Sequence, residues 1–397
     1  MAKLKPQDYN YKTKEDICTH VGDEYADFMG AIVPPIFQNS LFLKPTPYNG
    51  IPEDNEFVYT RVSNPTTDIA ERKIAALEGA EAAACFSSGM GAISAAIMHF
   101  IKKDCHVIAP YTIYGPTRTF LTKYLAEKFG VTTTFVHGSD IEEWKAAIRP
   151  ETTLIYLESP SSLVLYMQDL EEIAKIAKEH GIGTVIDNTY ATPLHQNPYL
   201  YGIDLVCHTA SKYMGGHSDI VAGVVAGSAE RIQKICNFER ELYGACMDPH
   251  QAWLLIRGLR TLPVRLKAHG EAGLKVAKYL EQHPCVKQVF YPGLDSHPQK
   301  ELVDKYLKGQ TNGLIGFIYD GTAEQAREFM YSLKMFQYGV SWGGFESLVA
   351  PGSVGLSEEE AAAIGMPVNV VRIHIGLENT DTLIADLEQA FEKSKLK

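Results

Sequence analysis

A chain of 397 residues is long enough for two domains and a large core. Hydrophobic residues make up 45% and charged residues 21%, the balance of a soluble globular enzyme. A formal net charge of −11 with no Lys/Arg run excludes nucleic acid and anionic membrane surfaces as expected partners.

The opening MAKLKPQDYN has no apolar core of a signal peptide. No stretch approaches the roughly 18 apolar residues of a membrane span. The seven cysteines (Cys18, Cys85, Cys105, Cys207, Cys236, Cys246 and Cys285) are odd in number and form no Cys-x-x-Cys pair. They are expected to be reduced, mostly buried thiols in a cytoplasmic protein, with no metal site.

Residues 1–60 are irregular and rich in Pro, Asn and Tyr, which predicts an arm that packs on another surface, such as a neighbouring subunit. A helix is expected over Asp68–Glu78, stopping at Gly79. Short apolar runs then alternate with helical stretches. The runs are Ala82–Phe86, His106–Ala109, Thr132–Val136, Thr153–Leu157, Thr184–Ile186, Asp204–Cys207 and Val221–Ala226. Amphipathic segments such as Glu171–Glu179 lie between them. This alternation predicts an α/β domain with a mainly parallel seven-stranded sheet covered on both faces, assigned to residues 61–262. A long helical region is expected from Ala229 to His283, and a smaller C-terminal α+β domain over residues 263–397. Its clearest strand, Asn369–Ile375, would put Val371, Ile373 and Ile375 on one face and Arg372 and His374 on the other.

Three features point to one cofactor. Lys212, in TASKYMGGHSD, follows the apolar run DLVCH, where α/β sheets place their active sites. Thr209 and Ser211 flank it with hydroxyls. Asp187, in TVIDNTY, ends a strand 25 residues earlier, where a carboxylate can hold a protonated pyridine nitrogen. Ser87-Ser88-Gly89-Met90-Gly91 joins a strand to a helix, and glycines at a helix N-terminus present N–H groups to a phosphate. The same turn half-matches a dinucleotide fingerprint, but Ser94 replaces its last glycine and no acidic residue follows near residue 110.

Longer motifs carry a resemblance. YTRVSNPT, LEGAEAAACFSSGMGAI, YGPT, VIDNTYATP, SKYMGGHSD, RGLRTLPVRL, SWGGFESL and VRIHIGLE stand in this order from Tyr59 to Glu378. Together they resemble the Cys/Met-metabolism family of pyridoxal-phosphate (PLP) enzymes. That family includes cystathionine β-lyase, cystathionine γ-lyase, cystathionine γ-synthase and methionine γ-lyase. The resemblance implies PLP fold type I, the aspartate-aminotransferase-like fold, with PLP as cofactor. It implies that Lys212 carries the cofactor's aldehyde and later removes the substrate Cα proton. Asp187 would pair with the pyridine nitrogen, and Ser88, Gly89, Met90, Thr209 and Ser211 would hold the phosphate. Tyr114 would stack on the ring and act as acid or base, a cationic neighbourhood making its phenolate accessible. Tyr59 and Arg61 would reach a neighbouring subunit's cofactor, within a homotetramer built as a dimer of dimers. Arg372 would bind the substrate carboxylate. Ser341, Trp342 and Val340 would shape the substrate site. A regulator derived from this family would be expected to lose Lys212 or Arg372, and both are present.

The signals for the exact reaction divide. SWGG with Trp342, and Ser162 where γ-specific members have Asn, resemble bacterial cystathionine β-lyase. RVSNPT resembles methionine γ-lyase, whereas Pro116 stands where that enzyme has Cys. Val58 and Val340 are apolar where cystathionine γ-lyase has acids. β-Elimination of cystathionine or a cysteine thioether to pyruvate, ammonia and a thiol is the first expectation. γ-Elimination to 2-oxobutyrate, or γ-replacement, is the alternative.

Overall fold

The computed structural model describes residues 11, 13–23, 28–352, 361 and 367–395. The opening decapeptide lies outside them. Seven strands form the larger sheet: β1 (Ala82–Phe86), β2 (His106–Pro110), β3 (Thr132–Val136), β4 (Thr152–Glu158), β5 (Gly183–Asp187), β6 (Leu205–His208) and β7 (Gly223–Gly227). Their order is β1-β7-β6-β5-β4-β2-β3. From β6 through β3 the pairings are parallel, and β7 runs antiparallel to both β1 and β6. The central strands are buried along their whole length, as a sheet covered on both faces requires.

Alternation along these strands feeds two cores. Val185, Leu205, Cys207 and Val225 pack on one face, and Ile155, Leu157, Ile186 and Val206 on the other. The helix Pro65–Glu78 begins at the Asn64 cap, has Pro at its start, and ends at Gly79 with φ 69°. The helix Leu170–Glu179 buries Leu170, Ile173, Ala174, Ile176 and Ala177 on one side.

One expectation needs correction. The helical region from Ala229 is interrupted: Gly244 turns the chain at φ 75°, and a new helix, Pro249–Gln282, starts at the Asp248 cap. That helix runs unbroken past position 262, with Pro263 inside it. Val371, Ile373 and Ile375 are buried as expected, but so is His374, which accepts from the Gly343 N–H at 3.1 Å. Both faces of this strand are covered by protein, so strand periodicity there does not separate core from solvent.

The second sheet has five strands: β8 (Val286–Phe290), β9 (Leu314–Tyr319), β10 (Gln337–Tyr338), β11 (Leu348–Pro351) and β12 (Val370–His374). Their order is β10-β11-β12-β9-β8. Five cysteines are buried, Cys236 and Cys246 are half-buried, and all seven are free thiols. No helix among the described residues is long and apolar enough to cross a membrane.

Candidate active site

The C-terminal ends of β4, β5 and β6 open into a cavity of about 530 Å³, closed on its far side by the 340–342 turn and Arg372 of β12. Of the residues singled out from the sequence, Ser88, Gly89, Met90, Tyr114, Asp187, Thr209, Ser211, Lys212, Val340, Ser341, Trp342 and Arg372 all line it. Tyr59 and Arg61 do not. Arg61 donates to the Glu241 carbonyl at 2.8 Å and lies over the Tyr59 ring.

One end of the cavity is built for a phosphate. Ser88 caps the helix Gly89–Met98, its hydroxyl accepting from the Gly91 N–H at 3.0 Å. The first-turn N–H groups of such a helix have no partner within it. A Cβ on Gly89 would lie 2.1 Å from Thr209 Oγ1, so glycine is what lets the helix end approach that hydroxyl. The Ser211 hydroxyl is already tied to both backbone groups of Ala222, at 2.9 and 3.3 Å.

Asp187 ends β5. The Thr189 N–H, at 3.0 Å, and the Thr189 hydroxyl both donate to its Oδ1. Burial pushes its carboxyl up, opposed by the Thr189 hydrogen bonds. A cationic ring N–H would offset that burial.

Lys212 follows β6, and its Nζ donates to Ser341 Oγ at 2.6 Å. Burial, then the Arg372 charge, lowers this amine from 10.5 to about 8. The Trp342 ring lies 5.3 Å from Nζ, a contact that favours the ammonium and opposes that shift. The Arg372 guanidinium donates to the Val340 carbonyl at 2.6 Å and stays cationic, although burial lowers it to about 10.

The surroundings of Tyr114 differ from expectation. Among the described residues no cation lowers its phenol. Burial raises it, and the Asp187 charge raises it further. The group therefore stays a phenol near neutral pH. Two more cavity residues, Glu158 and Thr189, stand outside the set read from the sequence. Glu158 ends the apolar run TTLIYLE and pairs in register with Asp187, a strand-end signal that could have found it. Among the described residues no group of three or more His, Cys, Asp or Glu side chains could hold a metal.

A phosphate cradle, a buried carboxylate and a depressed lysine thus face one cavity, and these donors fit PLP. The family described as Cys/Met metabolism PLP-dependent enzyme matches residues 15–392. The chain belongs to this family. Its cofactor is PLP, and carbon–sulfur lyase chemistry on sulfur amino acids is its class. The L-methionine γ-lyase of Pseudomonas putida is 39% identical over 94% of this chain and 96% of its own length. The cystathionine γ-lyase of Bacillus subtilis is 36% identical over 96% and 99%. The crystal structure of metB from Corynebacterium glutamicum superposes with a TM-score of 0.91 at 35% identity, covering 98% and 99% of the two chains. That likeness makes the α/β architecture PLP fold type I. Both curated relatives are γ-lyases, whereas Trp342 and Ser162 had pointed first to β-elimination.

Proposed function

We propose that this enzyme catalyses γ-elimination from a small thioether amino acid of the methionine type, giving 2-oxobutyrate, ammonia and a thiol. The observation that carries the reading is the charge inventory of the cavity. Beside Lys212, Arg372 is the one cation among its described lining residues, and Pro116, Leu163, Val221, Leu314 and Val340 supply apolar wall. With Arg372 given to the α-carboxylate, the described lining residues of this chain offer no second cation to the far carboxylate of cystathionine. Leaving such a group buried and unpaired is costly.

When bound, PLP supplies an electron sink for the carbanion formed at the substrate carbon. Ser88, Gly89, Met90, Thr209 and Ser211 would hold its phosphate, and Asp187 its ring nitrogen. The Lys212 amine, held by Ser341, would take the Cα proton and then move a proton at Cβ. Its lowered pKa keeps a useful fraction unprotonated near neutral pH. Arg372 would clamp the carboxylate. Tyr114, kept as a phenol by its acidic surroundings, would give its proton to the departing sulfur.

Tyr59 and Arg61 would serve a neighbouring subunit's cavity, which fits their absence from the lining of their own. The arm exposes Met29, Ile32, Leu41 and Leu43, a run of apolar surface suited to burial in a homotetramer. In this reading residues 1–60 are that arm, residues 61–262 bind the cofactor, and residues 263–397 complete the substrate side. A β-elimination to pyruvate is the second reading, favoured by the Trp342 ring beside Lys212. Product analysis with methionine and, in parallel, cystathionine tests the assignment. 2-Oxobutyrate from methionine supports it; pyruvate from cystathionine with no turnover of methionine overturns it.

A further inference from the structure

The cavity contains a carboxyl group that the proposed chemistry leaves unused. Glu158 and Asp187 end the adjacent parallel strands β4 and β5 and are register partners. Their carboxyls therefore leave the sheet on one face, from strands about 4.8 Å apart. Each is only 7% exposed, and the hydrogen bonds to each come from neutral groups. Glu158 Oε2 accepts from the Tyr114 N–H at 2.8 Å, and Oε1 is bonded to the Ser162 hydroxyl. Two carboxylates held this close inside a protein repel, and one of them keeps a proton. Asp187, bonded twice through Thr189, is the member built to stay ionised.

Tyr114 depends on Glu158 for its place. It stands immediately before the short helix Gly115–Thr119, with no side-chain cap. Its ring is half-exposed at the cavity wall; its carbonyl accepts from the Arg118 N–H at 3.1 Å, and its N–H is held by Glu158.

We propose that Glu158 is a positioning residue: as a neutral carboxylic acid it ties Tyr114 to Ser162 and leaves Asp187 as the only anion of the pair. A hydroxyl accepts as well as donates, so the acid proton can sit on Oε1 toward Ser162 while Oε2 accepts from Tyr114. Burial, then the Asp187 charge, pushes the Glu158 carboxyl up to about 8, in keeping with this state.

The inference rests on this cavity being the reaction site. It is tested in the PLP-loaded enzyme with Glu158→Gln, Glu158→Ala and Ser162→Ala. The readouts are kcat and KM on whichever thioether turns over, and the visible circular dichroism of the bound cofactor. Glutamine offers an oxygen to the Tyr114 N–H and an amide to Ser162, without charge. Glu158→Ala is expected to lose at least about tenfold in kcat, with KM within about threefold and an altered dichroic band. Glu158→Gln is expected to rescue kcat to within about threefold, with the wild-type band. Ser162→Ala should fall between them. A Gln variant as poor as Ala overturns the neutral acid, and an Ala variant like wild type overturns the positioning role. Should Glu158→Ala fail to fold, a Ser162→Ala enzyme indistinguishable from wild type overturns it instead. Pyruvate in place of 2-oxobutyrate would sink the γ-elimination reading while leaving the ranking of these variants decisive.

Discussion

Lys212 shows how the site is tuned one residue at a time. Only the unprotonated amine attacks an aldehyde, and burial with Arg372 brings its pKa to about 8. The apo-protein should therefore capture PLP faster as pH rises, by about tenfold per unit below pH 8, levelling above it. Stopped-flow absorbance of the bound cofactor across pH 6–10 measures this. A profile still climbing at pH 10 would mean that the amine keeps its ordinary pKa. Gly89 makes a second residue-scale case. An alanine Cβ would strike the Thr209 side chain, so Gly89→Ala should weaken PLP binding by at least about tenfold, roughly 1.4 kcal/mol. Titration of apo-protein with PLP checks it, and unchanged affinity would remove the cradle from this turn. Lys212, Asp187 and the Ser88–Gly91 turn were legible because strand ends and glycine turns leave marks in sequence. Glu158 carried the same strand-end mark, but its meaning depends on facing Asp187, and that pairing exists only once β4 and β5 are registered.

At the scale of elements, the helix Pro249–Gln282 fastens the Lys212 loop. Arg265 is buried and donates to the Tyr213 and Gly258 carbonyls, both at 2.7 Å, and to Thr261 at 3.1 Å. A Cβ on Gly258 would come within 2.4–2.5 Å of the Gly215 and Met214 carbonyls, so helix and loop backbones pack directly. This contact explains Gly258 and Arg265 of the motif RGLRTLPVRL, which have no evident purpose along the chain alone. Replacing Arg265 by Met would leave the buried Tyr213 carbonyl without its donor, while the Thr261 hydroxyl still donates to the Gly258 carbonyl, a loss of roughly 1–3 kcal/mol. Lys, lacking the planar fork, should recover only part of it. Urea unfolding of the holoenzyme reads both variants, and a Met variant as stable as wild type would mean that water or neighbouring groups take over that carbonyl.

For the whole molecule the open question is assembly. Tyr59 and Arg61 lie off their own cavity, and the proposed arm would carry them to a neighbour's. If so, Lys212→Ala and Arg61→Ala subunits, each poorly active alone, should regain activity when refolded together. A mixed pair holds one intact site of two, so an equal mixture should recover up to about a quarter of wild-type activity. No recovery, in mixtures shown to exchange subunits, would place both residues at one site.

The amino-acid sequence by itself determined the larger sheet, strand by strand, because buried parallel strands demand continuous apolar runs. It also determined the cofactor and the chemical class, because those rest on groups at strand ends within long motifs. The tertiary structure alone decided the rest. It kept Tyr114 a phenol rather than an accessible phenolate, since burial and the Asp187 charge beside it come from parts of the chain distant in sequence. It buried His374, since the second face of β12 meets protein rather than water. It also set the charge inventory of the cavity, since that depends on which side chains from both sheets converge on one space.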